Sequence, residues 1–132
     1  MRVVLDASVA IEIALGHKQA AKFAAVLAKA GEVLAPDLIT AEATNAIWKY
    51  HHVQGLNFST CERALRTAVH LPDRLVSSLS LYAEAFLLAR TTRKPAYDMF
   101  YVALARREDA VLLTLDSRLK KEAEKLSIRV DA

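Results

Sequence analysis

"RVVLDASVAIEIAL", residues 2–15, decides how the chain is read. Val3, Val4 and Leu5 make a short, largely β-branched apolar run, Asp6 interrupts it, and "SVAIEIAL" continues as a helix-forming stretch that Gly16 can end. A signal peptide or membrane span is also apolar. Here Asp6 and Glu12 break the run, and no uncharged stretch reaches the roughly 18 residues that a span needs. The segment therefore predicts a buried strand feeding directly into a helix, the opening unit of an α/β fold.

The same alternation recurs outward from there. "HKQAAKFAAVLAKAG" predicts a helix with Gly31 as its C-cap, and "EVLAP" a second strand closed by Pro36. "DLITAEATNAIWKYHHVQG" predicts a long helix with Asp37 as N-cap and a stop near Gly55. "STCERALRTAVHL" is a helical stretch opened by Ser59, "RLVSS" a third strand, and "SLYAEAFLLARTTRK" another helix. "PAYDMFYVALARRED" follows, and its run from Met99 to Ala105 has no polar face, the pattern of a helix buried on all sides. "AVLLTLD", "SRLKKEAEKL" and "IRV" predict a fourth strand, a last helix and a short final strand. Strands separated by helices pair in parallel through crossovers. The expectation is an open α/β sandwich with a mainly parallel sheet of about five strands, whose ligands bind beyond the strands' carboxyl ends.

Composition bounds the reading without deciding it. At 132 residues and 54% hydrophobic, the chain predicts a single domain spanning residues 1–132. Eighteen basic and fifteen acidic residues leave a formal charge of +3, which permits a polyanionic partner without requiring one. Cys61 is the only cysteine, so no internal disulfide forms and a cytoplasmic site is expected. The three glycines, Gly16, Gly31 and Gly55, cannot make a glycine-rich phosphate loop.

Four acids fall where chemistry is expected. Asp6 follows the first strand and Asp116 the fourth, so a parallel sheet brings both to one edge. Glu42 lies early in the helix after the second strand. Asp98, in the first turn of the apolar helix, joins them if the loop before it returns to that edge. Each has a plainer reading as well: Asp6, Asp98 and Asp116 all stand at helix starts, where a carboxylate caps backbone N–H groups. Glu42 fits that reading least. At about 100° per residue it falls about 40° round from Leu38, inside the arc of Leu38, Ile39, Ala46 and Tyr50. Carboxylates gathered in a partly buried cleft repel one another and are disfavoured as ions, so a divalent cation is expected to neutralise them. With only oxygen ligands the cation is Mg²⁺ or Mn²⁺, and the implied chemistry is phosphodiester hydrolysis by metal-activated water. His17, His51, His52 and His70 read as surface or structural residues.

"VVLDASVAIEI", "LAPDLITAEATNAIW", "KPAYDMFYVALARRED" and "LLTLDSRL" stand in the order and spacing of the PIN-domain family, and the chain resembles a VapC-type toxin ribonuclease from about Val3 to about Val130. The resemblance implies a three-layer α/β/α sandwich, RNA cleavage dependent on Mg²⁺ or Mn²⁺, a homodimer, and inhibition by a cognate antitoxin. The family's acidic set falls on Asp6, Glu42, Asp98 and Asp116, and its hydroxyl residues on Ser8 and Thr114. Thr114 shares a strand face with Asp116 and is expected to steady a carboxylate or a metal-bound water. Ser8 has a helix cap as its alternative. Tyr97 is expected to help fix Asp98. Arg93, Lys94 and Arg118 are the basic residues nearest the acids in sequence and are candidates for RNA phosphate contact, with solvated helix-end charges as the alternative. Two other readings fit the sequence less well. A phosphoacceptor receiver domain needs paired acids after the first strand and another after the third, where "LDASV" has one and "RLVSS" none. An inert PIN-like module that binds RNA or protein would not be expected to keep all four acids.

Overall fold

The computed structural model describes residues 1–131. Four strands, β1 (Arg2–Leu5), β2 (Glu32–Pro36), β3 (Arg74–Val76) and β4 (Val111–Leu113), form one parallel sheet in the order β3-β2-β1-β4. Around it are α1 (Ala7–Leu15), α2 (Ala20–Lys29), α3 (Leu38–Gln54), α4 (Phe58–His70), α5 (Tyr82–Thr92), α6 (Ala96–Arg107) and α7 (Ser117–Lys125). A single 3-10 turn, Ser78–Ser80, precedes α5. This is the expected α/β sandwich.

Parallel strands covered on both faces need continuous apolar runs rather than alternation. Val3, Val4, Leu5, Leu34, Ala35, Leu112 and Leu113 accordingly have no exposed surface. Helices α1 to α4 pack on one another, α5 packs on α6, and α6 also touches β1, β2 and β4. From Met99 to Ala105 every residue of α6 but Phe100 is buried, as its sequence requires.

Strand order is what positions the site. The chain steps from β1 out to β2 and β3, then returns to lay β4 on the other side of β1. Leu5 pairs with Leu113, so the carboxyl ends of β1 and β4 lie side by side at the point where the order reverses. Such switch points open a crevice beyond the sheet edge.

Several boundaries differ from the expectation. "IRV" contributes only a bridge between Val130 and Leu112, because Ser127 and Asp131 take positive φ on either side and leave too short an extended stretch for a fifth strand. Helix α2 ends at Ala30 in extended backbone, and the Gly31 N–H donates to the Met1 carbonyl instead of capping a helix. Asp37 makes no cap hydrogen bond; its carboxylate accepts from the Ser78 N–H and hydroxyl, tying the start of α3 to the turn after β3. Asn57, not Ser59, caps α4 through the Thr60 N–H. Gly16 and Gly55 do end their helices, at φ of +66° and +69°. Among the described residues no helix is long and apolar enough to cross a membrane.

Candidate active site

Asp6 is the innermost acid. It leaves β1 with its backbone N–H donating to the Leu113 carbonyl at 3.0 Å, which fixes it beside the end of β4. Its Oδ2 accepts from the Thr114 hydroxyl at 2.6 Å and the Ser8 hydroxyl at 2.9 Å. Both hydroxyls are used twice: Thr114 Oγ1 accepts from the Asp116 N–H, and Ser8 Oγ from the Leu115 N–H. Ser8 is therefore not a helix cap. It laces the β1–α1 junction to the β4–α7 loop, and Thr114, with no exposed surface, steadies the carboxylate of Asp6 rather than that of Asp116.

The other acids come from three further elements. Glu42, half-buried on α3, accepts at Oε1 from the Tyr101 hydroxyl of α6 at 2.6 Å. Asp116 does serve as the α7 cap: its Oδ1 accepts from the N–H groups of Arg118 and Leu119. Asp98 sits in the first turn of α6 without capping it. All four acids line one cavity of about 430 Å³ beyond the β1 and β4 ends, together with Ser8.

Burial is the largest influence on these groups. It pushes the carboxyl of Asp6 above its ordinary pKa, opposed by the hydrogen bonds from Thr114 and Ser8 and reinforced by the charge of Asp116. Glu42 is raised by burial, lowered somewhat by the Tyr101 hydrogen bond, and raised again by the charges of Asp6 and Asp98. Asp98 is raised by burial and then by Asp6 and Asp116. The Tyr101 phenol is also raised, by burial and then by Asp6 and Glu42, so it stays protonated and donates. Perturbed groups sharing a cleft are a mark of functional sites.

Among the described residues no three His, Cys, Asp or Glu side chains are already drawn into a closed cage. Like-charged carboxylates repel, and hydroxyls, a phenol and helix amides tether three of them. The donor set nonetheless fits a hard divalent cation: the four acids offer only carboxylate oxygens, and positive charge would offset the repulsion and the burial together.

Not every expected residue meets this cavity. Arg93, Lys94 and Arg118 do not line it. Arg93 forms the left-handed C-cap of α5 and Lys94 lies in the link to α6, while Arg118 meets Asp116 through its backbone N–H. Tyr97 is 65% exposed, and the phenol that orders an acid belongs to Tyr101, one turn further on. Tyr101 had a signal: a hydroxyl in an otherwise apolar buried helix must find a partner. His17, expected to be surface or structural, lines the cavity with its Nδ1 3.6 Å from Glu12 Oε1.

The PIN domain family model matches residues 3–125. The chain belongs to the PIN domain family. PIN domains are in general nucleases and typically use divalent metals. This PIN domain superposes on PAE2754 from Pyrobaculum aerophilum with a TM-score of 0.73 at 22% identity, covering 96% of this chain and 95% of that one. FitAcB from Neisseria gonorrhoeae gives 0.63 at 20%, covering 97% and 95%. VapBC2 from Rickettsia felis, solved bound to a DNA fragment from its promoter, gives 0.68 at 14%, covering 98% and 97%. At such identities the likeness is one of fold. Comparison with curated proteins gives no match.

Proposed function

We propose that this PIN domain is a divalent-metal-dependent endoribonuclease and the toxin of a toxin–antitoxin pair. The observation that carries the reading is the meeting of Asp6, Glu42, Asp98 and Asp116, from four separate parts of the chain, in one cavity at the switch point of the sheet. The sequence resemblance to VapC-type toxins supports RNA as substrate and a cognate antitoxin as partner, and the likeness in fold to VapBC2 and FitAcB accords with it. Homodimerisation is part of the same reading, supported by Leu79, Tyr82 and Phe86, which expose a run of apolar side chains on and before α5.

The four acids would hold Mg²⁺ or Mn²⁺. When bound, such an ion supplies a Lewis acid that lowers the pKa of coordinated water and offsets charge on a phosphodiester. The chain's own part is to fix oxygen atoms in place. Thr114 and Ser8 hold Asp6, Tyr101 holds Glu42, and the first amides of α7 hold Asp116. Rigid ligands of this kind keep their geometry when substrate arrives. Asp98 makes no hydrogen bond that lowers its pKa, so its replacement removes charge with the least disturbance of structure.

The test is cleavage of labelled structured and single-stranded RNAs by the purified chain in Mg²⁺, Mn²⁺ or EDTA, beside Asp98→Asn. Metal-dependent cleavage is expected, reduced at least about 100-fold in a folded Asp98→Asn. Equal activity in that variant would sink the assignment. The one other reading is an inert RNA- or protein-binding module, against which the complete set of four acids argues. Calorimetric titration separates the two, because the inert module would take up no divalent ion at millimolar concentration.

A further inference from the structure

His17 is held in place by neighbours that leave part of it open. Gly16 turns the chain out of α1 at φ +66°, and the His17 N–H donates back to the Glu12 carbonyl at 3.0 Å. The Glu12 side chain is anchored by the Gln19 N–H at 2.8 Å and brings its other oxygen 3.6 Å from His17 Nδ1. The Tyr50 ring, from α3, stands 5.8 Å from the imidazole and tilted by 58°, so the two form an aromatic corner. The His17 side chain is 42% exposed. Both rings line the cavity that holds the four acids.

Beyond Tyr50 the cavity continues. A groove of about 390 Å³ along α3 shares Glu42, Ala46 and Tyr50 with it and adds Asn45, Lys49 and Gln54. Lys49 is the cation of that groove. Arg93, Lys94 and Arg118 line neither space.

We propose that His17, Tyr50 and Lys49 form a nucleotide subsite beside the acidic centre, in which one unstacked base of a single-stranded RNA lies on the His17–Tyr50 corner and Lys49 holds a phosphate of the same strand. The inference rests on the ribonuclease reading and adds the form of substrate. A phosphate at His17 would face the Glu12 carboxylate as well, whereas an uncharged base meets no such repulsion and gains an aromatic face. Phosphate is better placed in the α3 groove, where Lys49 can meet it. A duplex keeps its bases stacked inside and offers none to a side wall, so the subsite selects single strands, loops or bulges.

Two measurements test this. Binding of a short fluorescent single-stranded RNA, followed by anisotropy in EDTA, is expected to weaken about tenfold in His17→Ala and to recover in His17→Phe but not in His17→Gln, because a ring and not a hydrogen bond is needed. Lys49→Ala is expected to lower the slope of log affinity against log salt by about 0.7, the share of one phosphate contact on a single strand. In Mg²⁺, His17→Ala should raise KM by a similar factor and leave kcat within twofold. Affinity within twofold of wild type in His17→Ala overturns the proposal, as does no binding by wild type, equal binding of duplex, or a fall in kcat at constant KM. Failure of the ribonuclease reading looks different: single-stranded RNA would bind in a His17-dependent way and never be cut.

Discussion

The bond from Tyr101 to Glu42 joins two helices through a single proton. Tyr101 is 1% exposed, and its O–H stabilises the ionised form of Glu42 against burial and the neighbouring charges. Removing it in Tyr101→Phe keeps the ring and the packing but takes a donor from the carboxylate, so the pKa of Glu42 should rise further. Divalent-ion affinity, measured by calorimetry across pH, should then fall off at a higher pH than in wild type, by on the order of one unit for a hydrogen bond to a charged group. An unchanged profile in a folded variant would mean that this bond does not tune the site. The residue also marks a limit of sequence reading. Tyr97 and Tyr101, four apart, lie on nearly the same side of α6. Which of them meets an acid depends on how far the helix has run past the sheet edge.

Helix α6 combines two demands: its body fills the core while its first turn supplies Asp98. The buried stretch from Tyr101 to Ala105 explains why a carboxylate stands against the core wall, since the end of a well-packed helix is a fixed point. Leu104, with no exposed surface, lies six residues beyond Asp98. Leu104→Ala should cost about 2–5 kcal/mol from lost burial and the cavity left behind. In urea unfolding the midpoint should drop with the slope unchanged, while metal affinity of the remaining folded protein stays near wild type; a loss below about 1 kcal/mol would show that the core closes over the gap. Elements of this strength were legible from their apolar runs, and helix-ending Gly16 and Gly55 from their type. Caps were less so. Asp37 stands where a cap is expected, yet Ser78, forty-one residues away, claims its carboxylate.

For the whole molecule, the raised pKa values link stability to pH and to metal. Asp6, Glu42 and Asp98 titrate higher in the folded chain than unfolded, so between those values the folded state binds more protons. Their contribution is fully present below the unfolded pKa, about 4, and is lost as pH rises through the raised folded values. A divalent ion bound only by the folded state offsets this loss, and protons compete with it less as pH rises. Thermal unfolding should therefore show a larger Mg²⁺-induced rise in Tm at pH 8 than at pH 5, and equal rises would argue against binding at these carboxylates. The strand and helix succession and the placing of Asp6, Glu42 and Asp116 could be read from local pattern, because burial and capping leave their marks within a few residues, whereas Ser8 and Thr114 were indicated by the family resemblance and Asp98 depended on the course of the loop before it. Other features came only from packing between distant segments: β4 returning beside β1, a bridge in place of a fifth strand, Tyr101 reaching Glu42, and His17 turning into the acidic cavity. Local periodicity specifies which face of a segment is buried; the segment it meets is chosen by the free energy of the assembled core.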